Sequence, residues 1–357
     1  MQHKWLGGAV FGRYVVGVPS HHWSVLKVDV ISGEISYIET PARSGKFKWL
    51  RGVATDQGVV VGVPSSADAV LLVDPQTDSV ALLPHGLEGK WKWHGGQVGG
   101  DGCVYAPPAN APGVLRVDPK RRTCEVLACD DPGGRSKYYG GLASEDGCVW
   151  GVPFAADRAL KIDPKKMAAE RVGRSLGGFG FDQNWHGGLR CERTGRLYGF
   201  PANADAVLRI DPATDRVDRL GVPGPRGRYQ WAGGFQCASS GAIYGVPSDA
   251  SDVLKIEVDG RVSRFGDLGR KKNKWQNAVE GPDGAFYCVP CDADAVLRID
   301  PRDDSLGFLR GTIPPGKDKY QGAFYAGGAI WALPESADAV LRISFSGPPE
   351  VQLLPLY

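Results

Sequence analysis

The stretch RLYGFPANADAVLRIDP, Arg196 to Pro212, has close copies along the whole chain, and that repetition limits the folds open to it more than any other feature. Its proline returns at Pro19, Pro64, Pro108, Pro153, Pro201, Pro247, Pro290 and Pro334, 43 to 48 residues apart. A second marker, an aromatic residue just ahead of a glycine pair, falls at Trp5, Trp49, Trp93, Tyr138, Trp185, Trp231, Trp275 and Tyr320. Two independent columns with one period define eight units: 4–45, 46–89, 90–134, 135–181, 182–227, 228–269, 270–316 and 317–357. Repeats of this length are single supersecondary units that bury a core only by stacking on their neighbours.

Each unit reads as four short strands. Strand A follows the aromatic, as in Lys92-Trp93-His94-Gly95-Gly96-Gln97-Val98, and the turn Asp101-Gly102 leads to strand B, Cys103-Val104-Tyr105. A proline-containing loop leads to strand C, Val114-Leu115-Arg116-Val117, and Asp118-Pro119 turns the chain into strand D, Cys124-Glu125-Val126-Leu127. Apolar runs of strand length, broken by turn residues and free of helical periodicity, predict an all-β chain. The 50 Gly and 26 Pro supply the many turns. The expected fold is one domain, residues 1–357, an eight-bladed β-propeller of four-stranded antiparallel blades, with seven blades plus a degenerate unit as the alternative. The glycine pair places small residues where inner strands crowd the axis. Arg51-Gly52, Asn277-Ala278 and Gly322-Ala323 depart from it, which predicts a wider or more polar channel there.

The units resemble those of the NHL/YVTN-type propellers, a superfamily that includes virginiamycin B lyase-like and gluconolactonase-like enzymes. The resemblance spans the chain and rests on Gly241-Ala242-Ile243-Tyr244, on Val296 to Pro301 and on the turn Asp211 to Thr214. It implies the fold. Those enzymes gather His and acidic residues around a metal, and no such set maps residue by residue onto this sequence.

Charge is informative only locally, because the net charge is +2. Immediately before the aromatic stand Lys4, Lys48, Lys92, Lys137, Asn184, Gln230, Lys274 and Lys319; two positions earlier stand Lys46, Lys90, Arg135, Asp182, Arg228, Lys272 and Lys317. A doubled basic ring at the channel mouth would suit an acidic protein segment or a phosphorylated or other anionic ligand, with nucleic acid not expected. The competing explanation pairs the lysines with a loop aspartate column, Asp68, Asp157, Asp205, Asp294 and Asp338.

Other candidates break the repeat. Unit 1 replaces the usual loop by Ser20-His21-His22-Trp23-Ser24, and His94 and His186 share one column of strand A. Imidazoles so placed could act as acid and base or ligate a metal, against the competing reading of histidines satisfied by packing. Cys288-Val289-Pro290-Cys291 has the spacing of a redox pair or half a zinc site, in columns filled elsewhere by small residues. The glycine-rich stretch 173–182 carries Phe179 and Phe181 as a candidate lid or partner contact.

The familiar catalytic signatures are absent. The leading expectation is therefore a non-catalytic binding or scaffold protein without a cofactor, engaging an anionic partner through the basic ring and Trp23. One alternative is a lyase or hydrolase, metal-dependent or not, built on His94, His186, His21 and His22; another is a structural subunit of a larger complex. Eight scattered cysteines, no membrane-length apolar run and a start without a signal-peptide core lead to the expectation of a soluble chain in the cytoplasm or another reducing compartment.

Overall fold

The computed structural model of the chain describes all residues except 131–132, 177–182, 225–226, 312 and 357. Eight sheets of four antiparallel strands follow one another in chain order, as the repeat predicts. Blade 1 consists of strand A (Trp5–Phe11), strand B (Tyr14–Pro19), strand C (Ser24–Asp29) and strand D (Ile35–Glu39). Strand A lines the axis in every blade. The remaining inner strands are Trp49–Ala54, Gln97–Val98, Tyr138–Ala143, Trp185–Arg190, Trp231–Gln236, Trp275–Glu280 and Tyr320–Ala326. That of blade 1 packs against those of blades 2 and 8, so the ring closes between whole blades.

The core lies between blades. Trp5, Val15 and Leu26 of blade 1 form one apolar cluster with Trp331, Leu333 and Val340 of blade 8. Ala9, Val16 and Val25 meet Trp49, Val60 and Leu71 of blade 2 in the next. In blade 2 the second and third strands, Val60–Pro64 and Ala69–Asp74, are largely buried because both faces are covered, whereas the fourth, Ser79–Pro84, is half-exposed. The aromatic column is core, as expected, and each of its indoles also has a hydrogen-bonding task. Trp5, Trp49, Trp93, Trp185, Trp231 and Trp275 donate Nε1–H at 2.8–3.0 Å to a carbonyl at or beside the start of strand C in the same blade. A buried donor is thereby satisfied and the inner strand is tied to the third.

Candidate functional site at the channel mouth

The site begins with a β-bulge. In blade 1 Trp5 pairs with Pro19 and Gly8 with Gly17, so strand A has one more residue than its partner over that span. The same irregularity follows Trp49, Tyr138, Trp185, Trp231, Trp275 and Tyr320. A bulge of this kind puts one residue in the left-handed region. Glycine fills that column at Gly7 (φ 107°), Gly95 (103°), Gly140 (75°), Gly187 (72°), Gly233 (78°) and Gly322 (85°). Arg51 (72°) and Asn277 (66°) occupy it without that freedom. Both project into the channel, and a Cβ built on Gly7 or on Gly95 would come within 3.2 Å of Arg51. The neighbouring glycines leave room for the Arg51 stem. Among the described residues no carboxylate pairs with its guanidinium.

A second left-handed ring crowns the first. The residue two before each aromatic is His3 (φ 52°), Phe47 (52°), Trp91 (57°), Ser136 (54°), Gln183 (77°), Tyr229 (48°), Asn273 (50°) or Asp318 (49°). Left-handed backbone costs L-residues about 1–2 kcal/mol, yet none of the eight positions is glycine. Their side chains therefore contribute something that glycine would not. Sequence reading passed over this ring because its members share no chemistry and stand between two basic columns.

His3, Phe47, Trp91, Arg51, His94, Tyr139, Gln321 and Glu335 line one cavity of about 180 Å³, floored by Leu6 and Leu50. Part of the lining is aromatic. Tyr139 lies 3.8 Å from His94 and 4.0 Å from His186, centroid to centroid, and Phe47 packs on Trp91 at 4.7 Å. Burial holds both imidazoles down at about 3, with the Arg51 charge adding to it, so they are neutral. The Nδ1 atoms of His94 and His186 have no hydrogen-bond partner. Burial pushes the Tyr139 hydroxyl up while nearby Arg51 pulls it back, leaving a protonated donor beside the guanidinium. Polar groups line the same cavity. Glu335, 5% exposed, meets His3 with Oε1 2.5 Å from Nδ1. Burial, then the charges of Asp318 and Asp292, raise the Glu335 carboxyl to about 8, so it holds its proton at neutral pH.

The structure separates the two basic columns. Lys4, Lys48, Lys92, Lys137, Lys274 and Lys319 are 1–3% exposed. Lys48 donates to the carbonyls of Ser20 (3.1 Å) and His22 (2.8 Å), Lys137 to Ala111 (2.8 Å) and Lys274 to Ser248 (2.8 Å) and Ala250 (2.7 Å), all in the preceding blade. Lys92 and Lys319 donate to Gly89 (2.7 Å) and Gly316 (3.1 Å) in their own loops. Burial lowers Lys48 and Lys274 to about 8. The outer column, Lys46, Lys90, Arg135, Arg228, Lys272 and Lys317, is exposed. The expected lysine–aspartate pairing within a unit is not what forms. Asp157, Asp205 and Asp294 pair instead with strand D arginines, Arg171, Arg219 and Arg310, and Asp338 reaches Lys4 across the ring closure. Lys48, Lys137 and Lys274 are drawn instead to the loop carbonyls of the preceding blade.

His94 lines this cavity, whereas His186 lines an adjoining one with Arg51; Tyr139 from the intervening blade stands beside both rings, and among the described residues neither joins a set of clustered metal-ligating atoms. His22 is buried, its Nδ1 2.9 Å from Ser24 Oγ and its ring against Trp5 at 4.5 Å. His21 packs edge-on to Phe47 at 4.4 Å and supports the mouth from outside. Trp23, 44% exposed, stacks on His22 rather than facing the cavity lined by Arg51. Cys288 is sealed in the core beside Leu297, and Cys291 receives a hydrogen bond from Asn273 Nδ2 at 3.2 Å. Both are free, with burial pushing both thiols up. Phe179 and Phe181 lie outside the described residues.

Among the described residues two sets of side chains could hold a metal, each with donor atoms within 4.8 Å of one another: His3, Asp318 and Glu335, and Cys291, Asp292 and Asp318. Neither was visible from sequence spacing. Glu335 was detectable, as the one acid in a column otherwise filled by Ser20, Ser65, Ala109, Phe154, Ala202, Ser248 and Cys291.

No protein-family model matches the chain, and no curated protein matches it in sequence. Solved structures do resemble it. Virginiamycin B lyase from Staphylococcus aureus, solved as an inactive variant with quinupristin, superposes with a TM-score of 0.61 at 12% identity, covering 86% of this chain and 95% of that one. Dihydro-heme d1 dehydrogenase NirN in complex with DHE gives a TM-score of 0.69 at 16% identity, covering 96% and 73%. Hydrazine synthase from Kuenenia stuttgartiensis gives 0.55 at 14%, covering 97% and 96%. At these identities the likeness is one of fold, and it agrees with the resemblance read from the repeat.

Proposed function

We propose that the protein binds a small anionic ligand in the channel mouth, with Arg51 as its anchor. One observation carries this reading: Arg51 takes a left-handed position that six of eight blades give to glycine, and among the described residues no carboxylate forms an ion pair with its guanidinium in the channel. A planar fork of donors in a confined, weakly hydrated space suits a carboxylate or phosphate. Tyr139 and Gln321 add donors beside it, and the exposed cations Lys46, Lys90, Arg135, Arg228, Lys272 and Lys317 would draw an anion toward the mouth. The expected anionic ligand is thus kept, with its contact moved from the buried lysines to Arg51. The experiment is a thermal-shift series with small carboxylates and phosphates on the wild type and Arg51→Gln. Stabilisation confined to the wild type supports the reading, and equal responses of the two proteins overturn it.

A second reading rests on Glu335 and His3. A protonated carboxyl hydrogen-bonded to an imidazole in the same cavity as the anchor is equipped for general acid–base work on the bound molecule. The lyase, the dehydrogenase and the synthase are enzymes carried on related propellers, which keeps catalysis in view without naming a reaction. A divalent metal held by His3, Asp318 and Glu335 would require the Glu335 carboxyl to lose its proton and so would take the place of this acid. Glu335→Gln should then abolish turnover while leaving ligand affinity within about twofold.

A further inference from the structure

We infer that the ligand of this site is an aromatic carboxylate, its ring held by the Phe47, Trp91, His94 and Tyr139 rings of the cavity and its carboxylate by Arg51; the inference rests on the anion-binding reading above. The cavity lining combines two chemistries. Phe47, Trp91, His94 and Tyr139 come from three consecutive blades and supply π faces, while Arg51, Gln321, Glu335 and His3 supply the polar groups. Trp91, on left-handed backbone, is 38% exposed. A large aromatic side chain held on costly backbone and still showing its face is not there to fill a core. Its burial is completed by something else.

The neutral state of the imidazole points the same way. A positively charged wall would hold an anion without preference for its body, but His94, which lines the cavity, carries no charge and packs on Tyr139 at 3.8 Å. The single guanidinium therefore fixes the anionic end and leaves the rest of the cavity to select by stacking. A volume of about 180 Å³ accommodates one small molecule.

The test uses three probes against the full chain: trans-cinnamate, its saturated counterpart 3-cyclohexylpropionate, and cinnamyl alcohol, with dissociation constants from calorimetry or ligand-observed NMR. Cinnamate is expected to bind about tenfold tighter than the saturated acid, and Trp91→Ala to remove about five- to tenfold of cinnamate affinity while changing that of the saturated acid little. Arg51→Gln is expected to abolish binding of both acids, and the alcohol to bind weakly or not at all. Equal affinity for the two acids in the wild type overturns the aromatic inference and leaves the anion reading standing. An alcohol as tight as the acid, or acids bound equally by wild type and Arg51→Gln, overturns the anion reading itself. Trp91 is exposed enough for its variant to fold, and unchanged circular dichroism and Tm would show that it has.

Discussion

His3 and Glu335 lie 332 residues apart in sequence and meet at 2.5 Å where the last blade closes on the first. The contact joins ring closure to the site, because both residues line the cavity that holds Arg51. The Glu335 carboxyl has its pKa raised from the usual 4.5 to about 8 in the folded chain. Between those values the native state holds a proton that the unfolded state has released, so this group's contribution is full below about 4.5 and is lost as pH rises through 8. Glu335→Gln keeps the neutral shape and does not titrate. Its Tm relative to the wild type should therefore increase from pH 5 to pH 8, on the order of a few degrees. A constant difference across that range would contradict the assignment.

The two basic columns should behave differently although sequence reads them alike. Lys46, Lys90 and Lys272 are exposed, so their reversal to Glu should slow ligand association about tenfold at low salt, an effect fading above roughly 0.15 M. Lys48, buried on the carbonyls of Ser20 and His22, should leave ligand affinity unchanged when replaced by Met. Stopped-flow mixing at two ionic strengths separates the two outcomes.

The inner glycines are expected to be intolerant where blades crowd. A Cβ on Gly8 would fall 1.9 Å from the Val16 carbonyl oxygen and 2.8 Å from Leu333 Cδ1, so Gly8→Ala must move backbone. It should lose about 3 kcal/mol or more in denaturant unfolding. Gly347→Ala, with nothing within 4 Å, should change stability by less than about 0.5 kcal/mol.

The fold was legible because two unlike columns, the strand-ending proline and the aromatic before strand A, return in register in every unit. Packing between blades rewards the same residue at the same place eight times. The site was less legible for the opposite reason. Arg51 and Asn277 showed as breaks in the glycine pair, but their left-handed backbone, which makes the breaks costly, is a property of the bulge and not of composition. His3, Phe47, Trp91, Tyr229 and Asp318 form one ring in space and share no residue type. The lysine column misled because a buried ammonium can be satisfied by carbonyls of the next loop, partners that sequence does not display. Tyr139, the ring beside both His94 and His186, becomes visible only when blades 3, 4 and 5 are set side by side.

On the proposed reading Arg51 serves the ligand rather than the fold, and Arg51→Gly returns the position to the glycine of its neighbours. Measured by denaturant unfolding without ligand, the variant should be about 0.5–1 kcal/mol more stable than the wild type, since left-handed strain is relieved and glycine's entropy cost offsets part of the gain. In the same preparation the stabilisation given by small carboxylates should disappear. A variant less stable than the wild type, or one that still responds to carboxylates, would contradict the account.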